Sequence, residues 1–170
     1  MHLSMQKKTE KMAAAAALTA LALIFSYIEF LIPLPLPAGI KLGLANVVVV
    51  TALYSIGPSY AFSINIVRIL LAGLLFGNVF AILYSLAGGL LSFGLMLLLK
   101  KTGLFSTVGV SMAGGAAHNL GQLCVAALVV SDPRIFYYFP ALLFSGILTG
   151  ILIGMVAYLV CKRLPKAQTS

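Results

Sequence analysis

The chain has 170 residues, 62% hydrophobic and 8% charged, with a mean hydropathy of +1.13 and 11 Lys and Arg against 3 Asp and Glu. A soluble domain carries about 25% charged residues and cannot hide this much apolar surface at such a size, so lipid is the solvent expected for most of the molecule. The net charge of +8 gathers at the ends of apolar runs, where cytoplasmic Lys and Arg are placed in membrane proteins, and does not call for nucleic acid.

Lys7, Lys8 and Lys11 precede the first apolar run, 12–32. That run is too long for the core of a cleaved signal peptide and leads into further apolar segments, so it is expected to be a membrane helix. Its start, Met12 followed by Ala13 to Ala17, is thin all round. Ala13/Ala17 and Ala16/Ala20 form overlapping pairs of small residues four apart, a spacing that lets helix backbones approach closely. A partner helix is expected to dock on this face. Further along, Ser26 and Glu29 share a face at i, i+3.

After a loop containing Pro33, Pro35 and Pro37, the second run, 40–56, opens at Lys41 and carries Asn46. Gly57-Pro58 then marks a tight turn. The third run, 60–76, places Asn65 and Arg68 on one face. These two runs are short for upright spans, so one is expected to be broken or to thin the bilayer. The fourth and fifth runs cover 79–99 and 107–130. On the fifth, His118 and Gln122 lie at i, i+4 and Asn119 is one step round. The sixth, 140–161, carries the ladder Gly146, Gly150 and Gly154, read as helix packing within the chain. No linker or soluble segment intervenes. The expectation is an all-α, polytopic protein of six transmembrane helices, a single membrane domain over 1–170 in the cell membrane.

Orientation follows from the cations. With the N-terminus inside, Lys7, Lys8, Lys11, Lys100, Lys101, Lys162, Arg163 and Lys166 are cytoplasmic, Lys41 and Arg134 are outside, and Arg68 is within the membrane. That bias predicts both ends in the cytoplasm.

Ionisable and amide groups in lipid are costly and mark functional sites. Arg68, Glu29, Lys41, Asn46, Asn65, His118, Asn119 and Gln122 are therefore the candidate ligand-binding residues, converging in the middle and outer half of the bundle. Glu29 and Arg68 are also suited to pair with each other, and the amides to bridge helices. Two cations with one carboxylate favour a ligand bearing a carboxylate or phosphate, which Arg recognises well.

No GxxxxGK[ST] loop is present. The three acidic residues, Glu10, Glu29 and Asp132, form no aspartate-rich cluster to hold magnesium. Cys124 and Cys161 share no metal-ligand spacing. No metal, no cofactor and no self-contained catalysis are expected.

The basic N-terminus, the alanine-rich first helix, the Pro-rich loop, Gly43-Leu44-Ala45-Asn46 and Gly57-Pro58 resemble the substrate-binding S components of energy-coupling factor transporters. More narrowly, the stretch Lys41-Leu42-Gly43-Leu44-Ala45-Asn46 followed by Arg68 and Gly77-Asn78 resembles the Gx transporter family, also called heptaprenyl diphosphate synthase component I. The resemblance implies an S-component-like bundle that captures a small molecule from outside, with residues 33–40 as a lid. It implies docking through Ala13, Ala16, Ala17 and Ala20 on a transmembrane scaffold subunit served by two cytoplasmic ATPases. The second family name implies instead a non-catalytic membrane subunit that supports a soluble prenyl synthase in quinone biosynthesis.

Overall fold

The structure, a computed structural model, describes residues 2–32 and 43–164. Lys41, Lys166 and the proline-rich loop lie outside the described residues. Six α-helices follow in order: α1 (His2–Leu31), α2 (Leu44–Ser55), α3 (Pro58–Leu75), α4 (Val79–Thr102), α5 (Thr107–Val130) and α6 (Phe139–Arg163), with a 3-10 helix at Pro133–Tyr138 before α6.

Five helical stretches are long and apolar enough to cross a membrane: Met5–Leu31, Pro58–Leu75, Val79–Thr102, Thr107–Val130 and Pro133–Arg163. They leave large apolar side chains uncovered, among them Leu74 at 73% and Leu128 at 79% exposure. Water would not tolerate apolar faces of that extent on so small a bundle, whereas lipid favours them. The chain is a multi-pass membrane protein.

α2 is the exception and the centre. Its 12 residues rise about 18 Å, short of the ~30 Å hydrocarbon layer. Ala45 and the run from Val48 through Leu53 are all buried, packed by α1, α3 and α6. A helix apolar on every side belongs in a core. The expected second span over 40–56 is thus a shorter helix enclosed by its neighbours. Gly57 follows it at φ +110, a conformation glycine adopts readily, and Pro58 opens α3, which is the tight turn that Gly57-Pro58 signals. The first helix begins ten residues earlier than its apolar run. Lys, Gln and Glu are good helix formers, and the helix continues past the lipid edge through them.

Glycine governs the packing of α4, α5 and α6. A Cβ on Gly115 would lie 2.1 Å from the carbonyl oxygen of Gly146, and one on Gly150 would lie 2.7 Å from Cα of Met112. The ladder Gly146, Gly150 and Gly154 therefore closes against α5 within the chain, backbone on backbone. Gly121, a turn from buried Ala117, meets Ala87 and Gly88 of α4 instead.

Contacts at the ends fix the relative directions of the helices. Glu29, near the end of α1, bonds Leu44 at the start of α2. At the opposite end of α2, the Lys100 ammonium donates to the Leu53 carbonyl and sits 4.7 Å over the Tyr54 ring. Cys161 of α6 approaches Thr51 there as well. The basic start of α1 and the basic ends of α4 and α6 consequently share one end of the bundle.

Candidate functional site

Arg68 is the centre of the buried polar structure. It stands in the middle of α3, nine-tenths buried. Its Nη2 donates to Asn46 Oδ1 of α2 at 2.7 Å and to Asn65 Oδ1, one turn earlier, at 2.9 Å. Asn65 in turn donates from Nδ2 to the Gly89 carbonyl of α4 at 3.2 Å. Both oxygens that receive the guanidinium are neutral. Arg68 Nε is buried with no hydrogen-bond partner among the described residues.

Glu29 does not form an ion pair with Arg68. Among the described residues the ion pair within 4 Å is Arg134–Asp132, beyond the end of α5. Glu29 Oε1 accepts from the Leu44 backbone N–H at 2.8 Å. Gly43, at φ +74, has no side chain to cap α2, so a carboxylate from α1 takes that place. The positive end of the α2 dipole offsets part of its charge. The centre therefore keeps a positive guanidinium whose hydrogen-bond partners are amide oxygens, with the Glu29 carboxylate lining the same cavity.

These groups line a cavity of about 90 Å³ together with Ser26, Ser85, His118 and Gln122. It has room for a few water molecules and is well below the ~300–1,000 Å³ of sites that enclose a drug-sized ligand. Its rim is apolar: Phe30 and Phe76 line it, and Phe76 packs against Tyr27 with ring centroids 5.1 Å apart.

Gly88 and Gly89 bring three helices to this cavity. A Cβ on Gly88 would lie 2.8 Å from the His118 carbonyl and 2.9 Å from Gln122 Cγ, and one on Gly89 would lie 3.1 Å from Asn65 Nδ2. One glycine admits α5 and the next admits α3.

Five of the eight candidate residues thus line one cavity: Glu29, Asn46, Arg68, His118 and Gln122. Asn65 stands behind it, holding Arg68. Asn119 faces away, donating to the Leu142 carbonyl at 2.6 Å and to Ser145 Oγ at 3.3 Å, a clip between α5 and α6. Lys41 lies outside the described residues. Sequence reasoning passed over Ser85 and the Gly88-Gly89 pair. Two adjacent glycines in the middle of an apolar span are a legible sign of close approach, whereas a lone serine in a span is not.

On α1, Ala13, Ala16, Ala17 and Ala20 are all exposed, while Leu18 and Ala22 turn inward. Among the described residues, no group of three or more His, Cys, Asp or Glu assembles that would hold a metal ion.

Searches among curated proteins and among solved structures return no match. A family model, described as heptaprenyl diphosphate synthase component I, matches residues 18–160. That stretch runs from α1 through α6 and contains every residue of the cavity, so the chain belongs to the heptaprenyl diphosphate synthase component I family.

Proposed function

We propose that this protein is the substrate-binding membrane component of a small-molecule uptake system of the energy-coupling factor type, and that it takes an anionic group at Arg68. The supporting observation is the guanidinium itself. It is nine-tenths buried, held by two amide oxygens, without a carboxylate within ion-pair distance, and it lines a cavity. A buried cation without a carboxylate bonded to it is costly, and a carboxylate or phosphate entering the cavity can bond it directly. The bundle crosses the bilayer with both ends in the cytoplasm, so that the basic ends of α1, α4 and α6 lie inside and the cavity rim faces outward. The exposed alanine face of α1 is where a transmembrane scaffold docks, with cytoplasmic ATPases behind it.

A second reading is favoured by the family's own name. A component of a prenyl diphosphate synthase is suited to a non-catalytic role, recruiting a soluble synthase to the membrane. The two readings separate on partners. Affinity purification from native membranes in mild detergent is expected to bring down a membrane scaffold and ATPases. Replacing Ala13 and Ala17 by Leu is expected to abolish that capture and uptake while leaving ligand binding intact. Capture of a prenyl synthase alone, unaffected by the two leucines, would replace the first reading with the second.

A further inference from the structure

The site's own dimensions constrain what it binds. The cavity at Arg68 has room for a few waters, hence for one carboxylate or phosphate group and little more. Phe30 and Phe76 line the same cavity and Phe30 is 60% exposed, so the rest of a larger ligand meets these rings beside the polar pocket. Phe76 is braced by two rings of α1, Tyr27 at 5.1 Å and Phe30 at 6.2 Å between centroids. Phe30 and Tyr27 remain 60% and 44% exposed, so the rim has apolar surface to spare. A wholly polar ligand would gain nothing there and would have to dehydrate beside it. An apolar body would be covered by it.

We infer that the ligand is an amphipathic anion, with one anionic head at Arg68 and an apolar chain or ring lying against Phe30 and Phe76. This rests on the anion-binding reading above and adds the chemical class of the rest of the molecule.

The test uses the full chain in nanodiscs of phosphatidylcholine, titrated with inorganic phosphate and then with ethyl, butyl and hexyl phosphate, with empty nanodiscs as reference. Affinity is expected to rise by roughly two- to fourfold for each methylene that becomes covered. Phe30→Ala and Phe76→Ala are expected to flatten that rise, each variant being compared with its own affinity for inorganic phosphate. Phe76→Leu, which keeps an apolar side chain, is expected to retain most of the rise. If binding depends on Arg68 but not on chain length, the amphipathic ligand is overturned and the anion site stands. A rise that persists unchanged in both phenylalanine variants also overturns it, because the chains are then partitioning elsewhere. Binding that is indifferent to Arg68→Ala removes the anion site and the inference together.

Discussion

At the scale of single residues, the unusual choice is to hold Arg68 with amides and to place the nearby carboxylate on a helix end. Glu29 accepts from Leu44 N–H, and this gives its charge a sign that can be tested. Glu29→Gln keeps an acceptor for that bond but removes the charge–dipole part, worth about 0.3–1 kcal/mol. It also removes the carboxylate that lines the cavity. Ethyl phosphate is expected to bind Glu29→Gln more tightly, by roughly fivefold, for about 1 kcal/mol of relieved repulsion across the cavity. Weaker binding would show that Glu29 touches the ligand as a partner. Arg68, Glu29, Asn46, His118 and Gln122 are legible in the sequence because each is costly in lipid unless it has a task. Asn119 carries the same signature, yet one step along α5 rotates it by about 100°, and it bonds Leu142 and Ser145 of α6 instead. Composition alone does not separate these two uses of an amide.

At the scale of elements, the small residues decide how closely the helices approach. Gly115 is the tightest position, since its missing Cβ would overlap the Gly146 carbonyl, a backbone atom that cannot rotate away. Gly115→Ala is expected to destabilise the protein by about 1–3 kcal/mol or more through overpacking, read as a lower unfolding temperature in detergent. Gly94→Ala, where nothing stands within 4 Å, is the matched control and is expected to be neutral or slightly stabilising. Equal effects at the two positions would mean that α5 and α6 are not packed this closely. The fifth helix occupies its apolar run, 107–130, and Ser106 caps its start, accepting from Gly109. The extent of the second is not legible, because an apolar run reads the same whether its neighbours are lipid or protein. Only the burial of Val48 through Leu53 distinguishes the two. The short 3-10 helix before α6, capped by Asp132, falls where an interrupted apolar run gives no period to read.

At the scale of the whole molecule, charge asymmetry and the site belong to one arrangement. Lys100, the basic start of α1 and the end of α6 lie at one end of the bundle, and the aromatic rim of the cavity lies at the other. The proposed orientation predicts that, in intact cells lacking Cys124 and Cys161, a membrane-impermeant thiol reagent labels Ser131→Cys and spares Lys101→Cys. The opposite pattern would turn the cavity toward the cytoplasm and exclude capture from outside. That the chain is all-helical and built for lipid is legible from composition. The closing of α1 through α5 on Arg68 in particular is not, because Gly88 and Gly89 signal close approach without identifying the two neighbours they admit.

The central claim is that Arg68 holds an anionic ligand, and native mass spectrometry of the protein extracted from its own membranes in mild detergent tests it most directly. The wild-type chain is expected to carry a discrete added mass that yields an acidic small molecule on release. Arg68→Ala, folded as judged by its helical circular dichroism, is expected to have lost that mass. A wild-type chain without any retained mass, or the same mass retained at equal occupancy in Arg68→Ala, would contradict the claim.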